Sequence, residues 1–315
     1  MSLARRYLLW ISYDGSRFPE MAKGGSGYGV LDFLTTILRS SFPNVGERLK
    51  SSAASRTDRG VHALRNAIII QVPLEYGILD QRKDTLLAEW NSIAEQCKPK
   101  ALQILDFHTV SPGFSARRNV SYRCYKYRVC VALTSDAWQR FKEKPSLMHY
   151  AERDYAWILP PGFDLYKAQQ ACSIFKGTHN MASFFKHRER DRRKENEYPS
   201  AIRHMRHVAI TGGEPRCIDD ADHAFYDFSI ISTSFLREQV RRMIGIIVAH
   251  AYGRVSRELI EWLLKNPHPT NFFTRRLLIA PAQGLFLENV VYDNRMFTNP
   301  IPYHIHTWDN ELIAN

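Results

Sequence analysis

The sequence of 315 residues predicts an α+β fold, and three observations carry that reading. Short apolar runs rich in β-branched residues, such as Ala67-Ile68-Ile69-Ile70-Gln71-Val72, have the length and composition of buried strands. Between such runs lie stretches with apolar residues at helical spacing, such as Val30, Leu31, Phe33, Leu34, Ile37 and Leu38. The order in the first half is strand, helix, strand, strand, helix, strand, which is the ferredoxin-like split βαβ pattern.

Taken in order, residues 7–13 form the first strand, closed by the turn pair Asp14-Gly15. Residues 23–29 are a glycine-rich surface loop without G-x-G-x-x-G or Walker spacing. The first helix follows, then a short strand over 48–54 and the buried strand over 63–72. A second helix turns Leu86, Leu87, Trp90, Ile93, Ala94 and Cys97 inward, and a strand over 102–110 closes the half. The second half reads as a strand over 123–131, a charged loop-like stretch over 138–155, a helix over 165–175 and strands over 203–210 and 225–232. A long helix, a shorter one around 259–264 and a strand over 285–291 complete it. The expected organisation is 1–112, 113–294 and a peripheral tail, 295–315.

Lys and Arg number 43 against 32 Asp and Glu, a formal net charge of +11. Such a balance points to a polyanionic partner, nucleic acid ahead of a membrane surface. The five cysteines make no C-x-x-C pair and are odd in number, against a disulfide framework or zinc cluster and in keeping with a reducing compartment. The longest apolar run, 243–251, is too short to span a bilayer. Residues 8–11 are too short for a signal core, so no long presequence is read, while Arg5 and Arg6 leave mitochondrial import open.

The stretch most specific for chemistry is Ser55-Arg56-Thr57-Asp58-Arg59-Gly60-Val61-His62-Ala63. It places Asp58 in a tight loop leading into a strand, with Gly60 suited to positive φ. Positive charge from Arg56 and Arg59 favours the ionised carboxylate, which then serves as nucleophile or base. The plainer alternative is a turn aspartate capping a backbone N–H. The run Arg56–Ala63 resembles the catalytic motif of the TruA family of tRNA pseudouridine synthases, and Asp58 falls on the family's nucleophile.

Four further segments extend the resemblance. Phe114-Ser115-Ala116-Arg117 with Arg123-Cys124-Tyr125-Lys126-Tyr127 puts Arg123, Tyr125 and Tyr127 on one strand face. On the residues alone this is a half-buried face or a stacking surface for a pyrimidine; in the family the first tyrosine, here Tyr125, contacts the target uracil. Phe235-Leu236 followed by Val240-Arg241 lies on the long helix, where Val240, Met243, Ile244, Ile247, Val248 and Ala251 make the buried stripe. Arg241 falls at its border, so it seeks a carboxylate or snorkels; the family's equivalent arginine pairs with the catalytic aspartate. Ala280-Pro281-Ala282-Gln283-Gly284-Leu285 resembles the family's last motif, in which the leucine packs on the target base. Gly177-Thr178-His179-Asn180-Met181-Ala182-Ser183-Phe184 resembles another, with Asn180 and Met181 departing from it; His179 is read as structural.

The charge run over 186–207 holds Lys186, Arg188, Arg190, Arg192, Arg193, Lys194, Arg203 and Arg206, interleaved with acids. It is a solvated face or, with an RNA substrate, a phosphate-contacting loop. His304 and His306 have no acidic or cysteine partners at metal spacing.

The resemblance covers residues 6–292 and is shared in its motifs with the eukaryotic tRNA pseudouridine synthase-like 1 branch. Leu31 stands where the family has Gln, and Arg59 where a small residue is common. The resemblance implies two ferredoxin-like halves sharing a mixed, mostly antiparallel central sheet, with helices on one side and an active-site cleft. It implies isomerisation of uridine to pseudouridine in tRNA, in the anticodon stem-loop region, or in mRNA, with no cofactor or metal. It gives Asp58 the role of nucleophile or trigger of glycal formation, with Arg241 as its partner. Arg56 replaces the flipped base or binds phosphate, Tyr125 stacks on the uracil and Leu285 walls the pocket, while Arg117 and Arg203 join the RNA-binding set. RNA is the expected partner, a homodimer is compatible, no membrane is involved, and the compartment is intracellular: mitochondrial by resemblance, otherwise cytoplasmic or nuclear. Two alternatives are a non-catalytic RNA-binding protein on the same fold and a DNA-binding or scaffold protein, the latter supported by charge alone.

Overall fold

The computed structural model describes residues 4–21, 27–186, 200–216 and 220–300. They form two compact units, one holding the chain up to Arg123 and again from Phe286, the other Cys124–Leu285.

The first unit opens with β1 (Ala4–Tyr13), α1 (Val30–Arg39), β2 (Lys50–Ala53), β3 (His62–Pro73), α2 (Lys83–Cys97) and β4 (Leu102–Val110). β1 pairs antiparallel with both β3 and β4, and β2 pairs antiparallel with β3. The strand order β4-β1-β3-β2 is the one the split βαβ pattern predicts. The register sets Leu8 opposite Ile69 and Trp10 opposite Ala67, so the two most apolar runs of the half lie side by side. Tyr7–Ile11 are all buried, because both faces of β1 are covered. On α2 the buried stripe is Leu86, Trp90 and Ala94. Cys97, expected to point inward, is exposed: it ends the helix one turn beyond that stripe.

The second unit contains most of β5 (Val120–Ala132), then α3 (Ser135–Glu143), α4 (Tyr150–Arg153), β6 (Trp157–Leu159), α5 (Leu165–Ile174), β7 (Gly177–Asn180), β8 (Ile202–Gly213) and β9 (His223–Ser232). Three helices follow, α6 (Gln239–Ala251), α7 (Arg257–Lys265) and α8 (Asn271–Thr274). The strands run in the order β5-β9-β8-β7, with β6 parallel to β5. β7–β8 and β8–β9 are antiparallel. The stretch 138–155, expected to be loop-like, includes most of α3 and all of α4. The Thr134 hydroxyl accepts the Ala137 N–H at 3.1 Å, capping α3. Trp138 and Phe141, one turn apart, pack against Cys130, Met148, Ala156, Ile158 and Phe225. Two aromatics among charged residues give too faint a periodicity to read, yet suffice to dock a short helix.

The chain returns to the first unit along β10 (Leu285–Tyr292), whose Phe286 and Leu287 lie parallel to His62 and Ala63 of β3. The last element among the described residues is α9 (Arg295–Thr298), where Met296 is buried and the Phe297 ring lies 5.4 Å from that of Phe114. No helix among the described residues is long and apolar enough to cross a membrane. His304, His306 and the basic positions 188–194 lie outside the described residues.

Candidate active site

In the first unit, Asp58 sits half-buried on the connection between β2 and β3. Its carbonyl accepts the Val61 N–H at 3.1 Å, closing a tight turn in which Gly60 adopts φ +78°. That φ is one a side chain resists, which is why glycine stands there. The turn is fastened on several sides. Tyr13 and Thr57 share a hydroxyl–hydroxyl bond of 2.8 Å. The buried Asn66 amide donates to the Ser55 carbonyl at 2.9 Å. The buried Arg123 guanidinium donates to the Ala54 carbonyl at 2.8 Å. From beneath, Gly15 approaches so closely that a Cβ there would lie 2.0 Å from the Val61 carbonyl oxygen. Thr57, Asp58, Arg59, Gly60 and Val61 form one wall of a shallow depression, with Phe18, Glu20 and Met21 also lining it. Arg56 and Arg59 are exposed. A half-buried carboxylate on a turn fastened on several sides keeps access to its surroundings, as a nucleophile or base requires.

In the second unit, Arg241 lies in the first turn of α6 and is half-buried. Its Nε donates to the Ala280 carbonyl at 2.8 Å, and the Ala280 N–H returns a bond to the Arg241 carbonyl at 3.1 Å. One residue on, the Pro281 carbonyl accepts from the Tyr127 hydroxyl at 3.0 Å. Burial pushes the Tyr127 phenol well above its ordinary pKa against the opposing charge of Arg241, so it stays a neutral donor. The Gly284 carbonyl accepts the Arg128 N–H at 2.9 Å, and a Cβ on Gly284 would meet the Tyr127 ring at 2.7 Å. The loop that delivers Leu285 is thereby pinned to α6 and β5. Tyr125 is buried on β5, its ring edge-on to Phe235 at 5.0 Å.

A family model described as tRNA pseudouridine synthase matches residues 171–293. A tRNA pseudouridine synthase-like 1 of Xenopus laevis is 30% identical over 297 residues, covering 91% of each chain. The chain belongs to the tRNA pseudouridine synthase family. Other relatives are a tRNA pseudouridine synthase-like 1 of Homo sapiens, 29% identical over 301 residues (93% of this chain, 92% of the relative), and a tRNA pseudouridine synthase A of Thermus thermophilus, 30% identical over 290 residues (91% and 97%).

Of the family's motif positions, the first unit brings together Asp58 and Arg56 on one loop. Arg117 is exposed on the turn before β5, with its carbonyl 3.4 Å from the Arg123 guanidinium. The second unit links Arg241 with the approach to Leu285. Arg203 lies on β8 and directs its guanidinium to the Ser200 and Ile202 carbonyls at 2.9 and 2.6 Å. His179 falls within β7, bonded to the Lys176 carbonyl at 2.9 Å. Residues that sequence reasoning passed over complete the support. Asn66 bonds to the Ser55 carbonyl, and His62 to the Asp14-Gly15 turn. Arg242, fully buried next to Arg241, bonds to Glu238 at 3.0 Å and to the Phe185 carbonyl at 3.1 Å between the rings of Phe272 and Phe273. The available signal was its unbroken run with Arg241 in a helix otherwise apolar at that end.

Proposed function

We propose that this chain is a pseudouridine synthase that isomerises uridine in tRNA, with Asp58 as its catalytic carboxylate. The observation that carries the reading is the Asp58 turn. Within a chain of this family, the motif aspartate is half-buried, closed by Val61 and fastened through Thr57, Ser55 and Ala54, at the edge of an open depression.

In this reading the target nucleotide leaves its stack, at a cost of a few kcal/mol. Asp58 drives cleavage of the C1′–N1 bond, and the uracil leaves with the bonding electrons on N1. The base turns and C5 bonds to C1′ as the Asp58 ester at C1′ breaks or, on the glycal route, as the proton taken from C2′ returns; the C5 hydrogen is then lost as a proton and N1 takes one up. Arg241 holds the Asp58 carboxylate ionised and aimed. Tyr125 stacks on the uracil and Leu285 walls the pocket. Arg56 fills the place of the flipped base or holds phosphate, and Arg117 and Arg203 contact the RNA backbone. The net charge of +11 supports a polyanionic substrate. By the same resemblance we place the target in the anticodon stem-loop region. The test is release of tritium from tRNA carrying 5-tritiated uridine: wild-type protein is expected to release it with multiple turnovers. Absence of release from every tRNA offered would overturn the reading.

A further inference from the structure

We propose that His62, acting with Asp14, is a positioning residue that sets the geometry of the Asp58 turn; the proposal rests on the catalytic reading of Asp58. His62 opens β3, four residues after Asp58, and is 2% exposed. An apolar ring would fill that space without the cost of burying two polar nitrogens, so the imidazole calls for a polar reason. Its Nδ1 lies 2.9 Å from Oδ1 of Asp14 and 3.2 Å from the Gly15 amide nitrogen. With the proton on Nδ1 the ring donates to Asp14; without it, the ring accepts from Gly15. Either tautomer ties His62 to the Asp14-Gly15 turn.

That turn is itself anchored. The Asp14 N–H donates to the Ala101 carbonyl at 2.9 Å, and the Asp14 carboxylate accepts the Ser16 N–H at 2.9 Å. The other face of His62 lies flat against Phe286, ring centroids 4.7 Å apart at 22°. Gly15 in turn backs directly onto Val61, where even a methyl would collide with the carbonyl oxygen. Val61 supplies the N–H that closes the Asp58 turn. The chain of contacts therefore runs from His62 to Gly15, from Gly15 to Val61, and from Val61 to Asp58. Gly15, Gly60, Val61 and Asp58 all line the same depression, so a shift in this floor displaces the carboxylate.

Two substitutions at one site test this. His62→Phe keeps a ring against Phe286 and removes the Nδ1 bond to the Asp14-Gly15 turn, whichever tautomer makes it; His62→Asn restores a short polar side chain. Three quantities are read on the full chain at a temperature where each variant is folded: the single-turnover rate of tritium release, the tRNA dissociation constant, and amide exchange at Thr57–Val61. His62→Phe is expected to lower the rate about 100-fold, the scale of a misplaced catalytic group. Affinity should fall far less than the rate, because the buried imidazole cannot itself touch phosphate. The Val61 amide should exchange faster, and His62→Asn should recover part of both effects. A wild-type rate in folded His62→Phe, or a lower rate with unchanged Val61 exchange, overturns the proposal. If His62→Phe does not fold, Asp14→Asn carries the same test, keeping an acceptor for Ser16 while removing the carboxylate charge. Inactive wild-type protein would remove the catalytic reading and this proposal with it, whereas unchanged exchange in an active enzyme would remove this proposal alone.

Discussion

Replacing Arg128 by methionine should destabilise the second unit by several kcal/mol. Arg128 is buried on β5, and its guanidinium is held on every side. Nε and Nη2 each lie 2.6 Å from a carboxylate oxygen of Glu152, Nη1 lies 3.1 and 3.2 Å from those of Asp227, and Nη2 also donates to the Glu214 carbonyl at 2.6 Å. Glu152 is 1% exposed, whereas the Asp227 side chain is 35% exposed and keeps contact with water. Without Arg128, Glu152 retains the Arg216 N–H at 3.0 Å but loses its countercharge in a buried site. Removing one partner of such a pair costs about 3–5 kcal/mol. For a unit of this size, that is a fall in Tm of about 6–20 °C. The double variant Arg128→Met/Glu152→Leu removes both buried charges and should regain most of the loss. Thermal unfolding followed by circular dichroism reads both proteins. A fall of less than about 2 °C, under the shift of one kcal/mol, or a double variant no better than the single, would refute the argument.

Two further predictions concern the RNA. Arg241→Lys loses the planar fork that bonds Ala280 and is assigned to Asp58, so single-turnover isomerisation should fall about 10²–10³-fold, the scale of removing one preorganised donor; a fall under about threefold, well short of that scale, would contradict the assignment. The dissociation constant for tRNA should rise about 10³-fold or more between 50 and 200 mM salt for six or more phosphate contacts, and neutralising Arg188, Arg190, Arg192, Arg193 and Lys194 should flatten the slope. An unchanged slope in filter-binding curves would assign that run to solvent.

What was legible in the sequence was local. The Asp58 turn could be read because its residues are contiguous and Gly60 marks the positive φ that the structure shows. The strands of the first unit could be read because β1 and β3 are buried on both faces and so appear as continuous apolar runs. The stripe from Val240 to Ala251 followed the helical period, and its residues are buried. Long-range assembly was not legible. Arg128 meets Glu152 on α4 and Asp227 on β9, partners 24 and 99 residues away. Arg242 would face solvent on a helix buried along one stripe, but Phe272 and Phe273 cover that side of α6. Asn66 reads as a polar interruption of a strand until its amide is seen on the Ser55 carbonyl. Arg241 showed its half-buried place on the helical wheel but not its bond to Ala280, 39 residues on.

The most direct test of the account is Asp58→Asn. The substitution keeps the size of the side chain and its capacity to accept hydrogen bonds, and removes the charge and the nucleophile. The carboxylate lies on a half-buried turn held through backbone carbonyls and neighbouring side chains, so fold and RNA affinity should survive the change. Tritium release from 5-tritiated uridine in tRNA, measured beside a binding curve for the same RNA, is predicted to fall below detection while binding stays at the wild-type level. Substantial tritium release by Asp58→Asn would contradict the central claim.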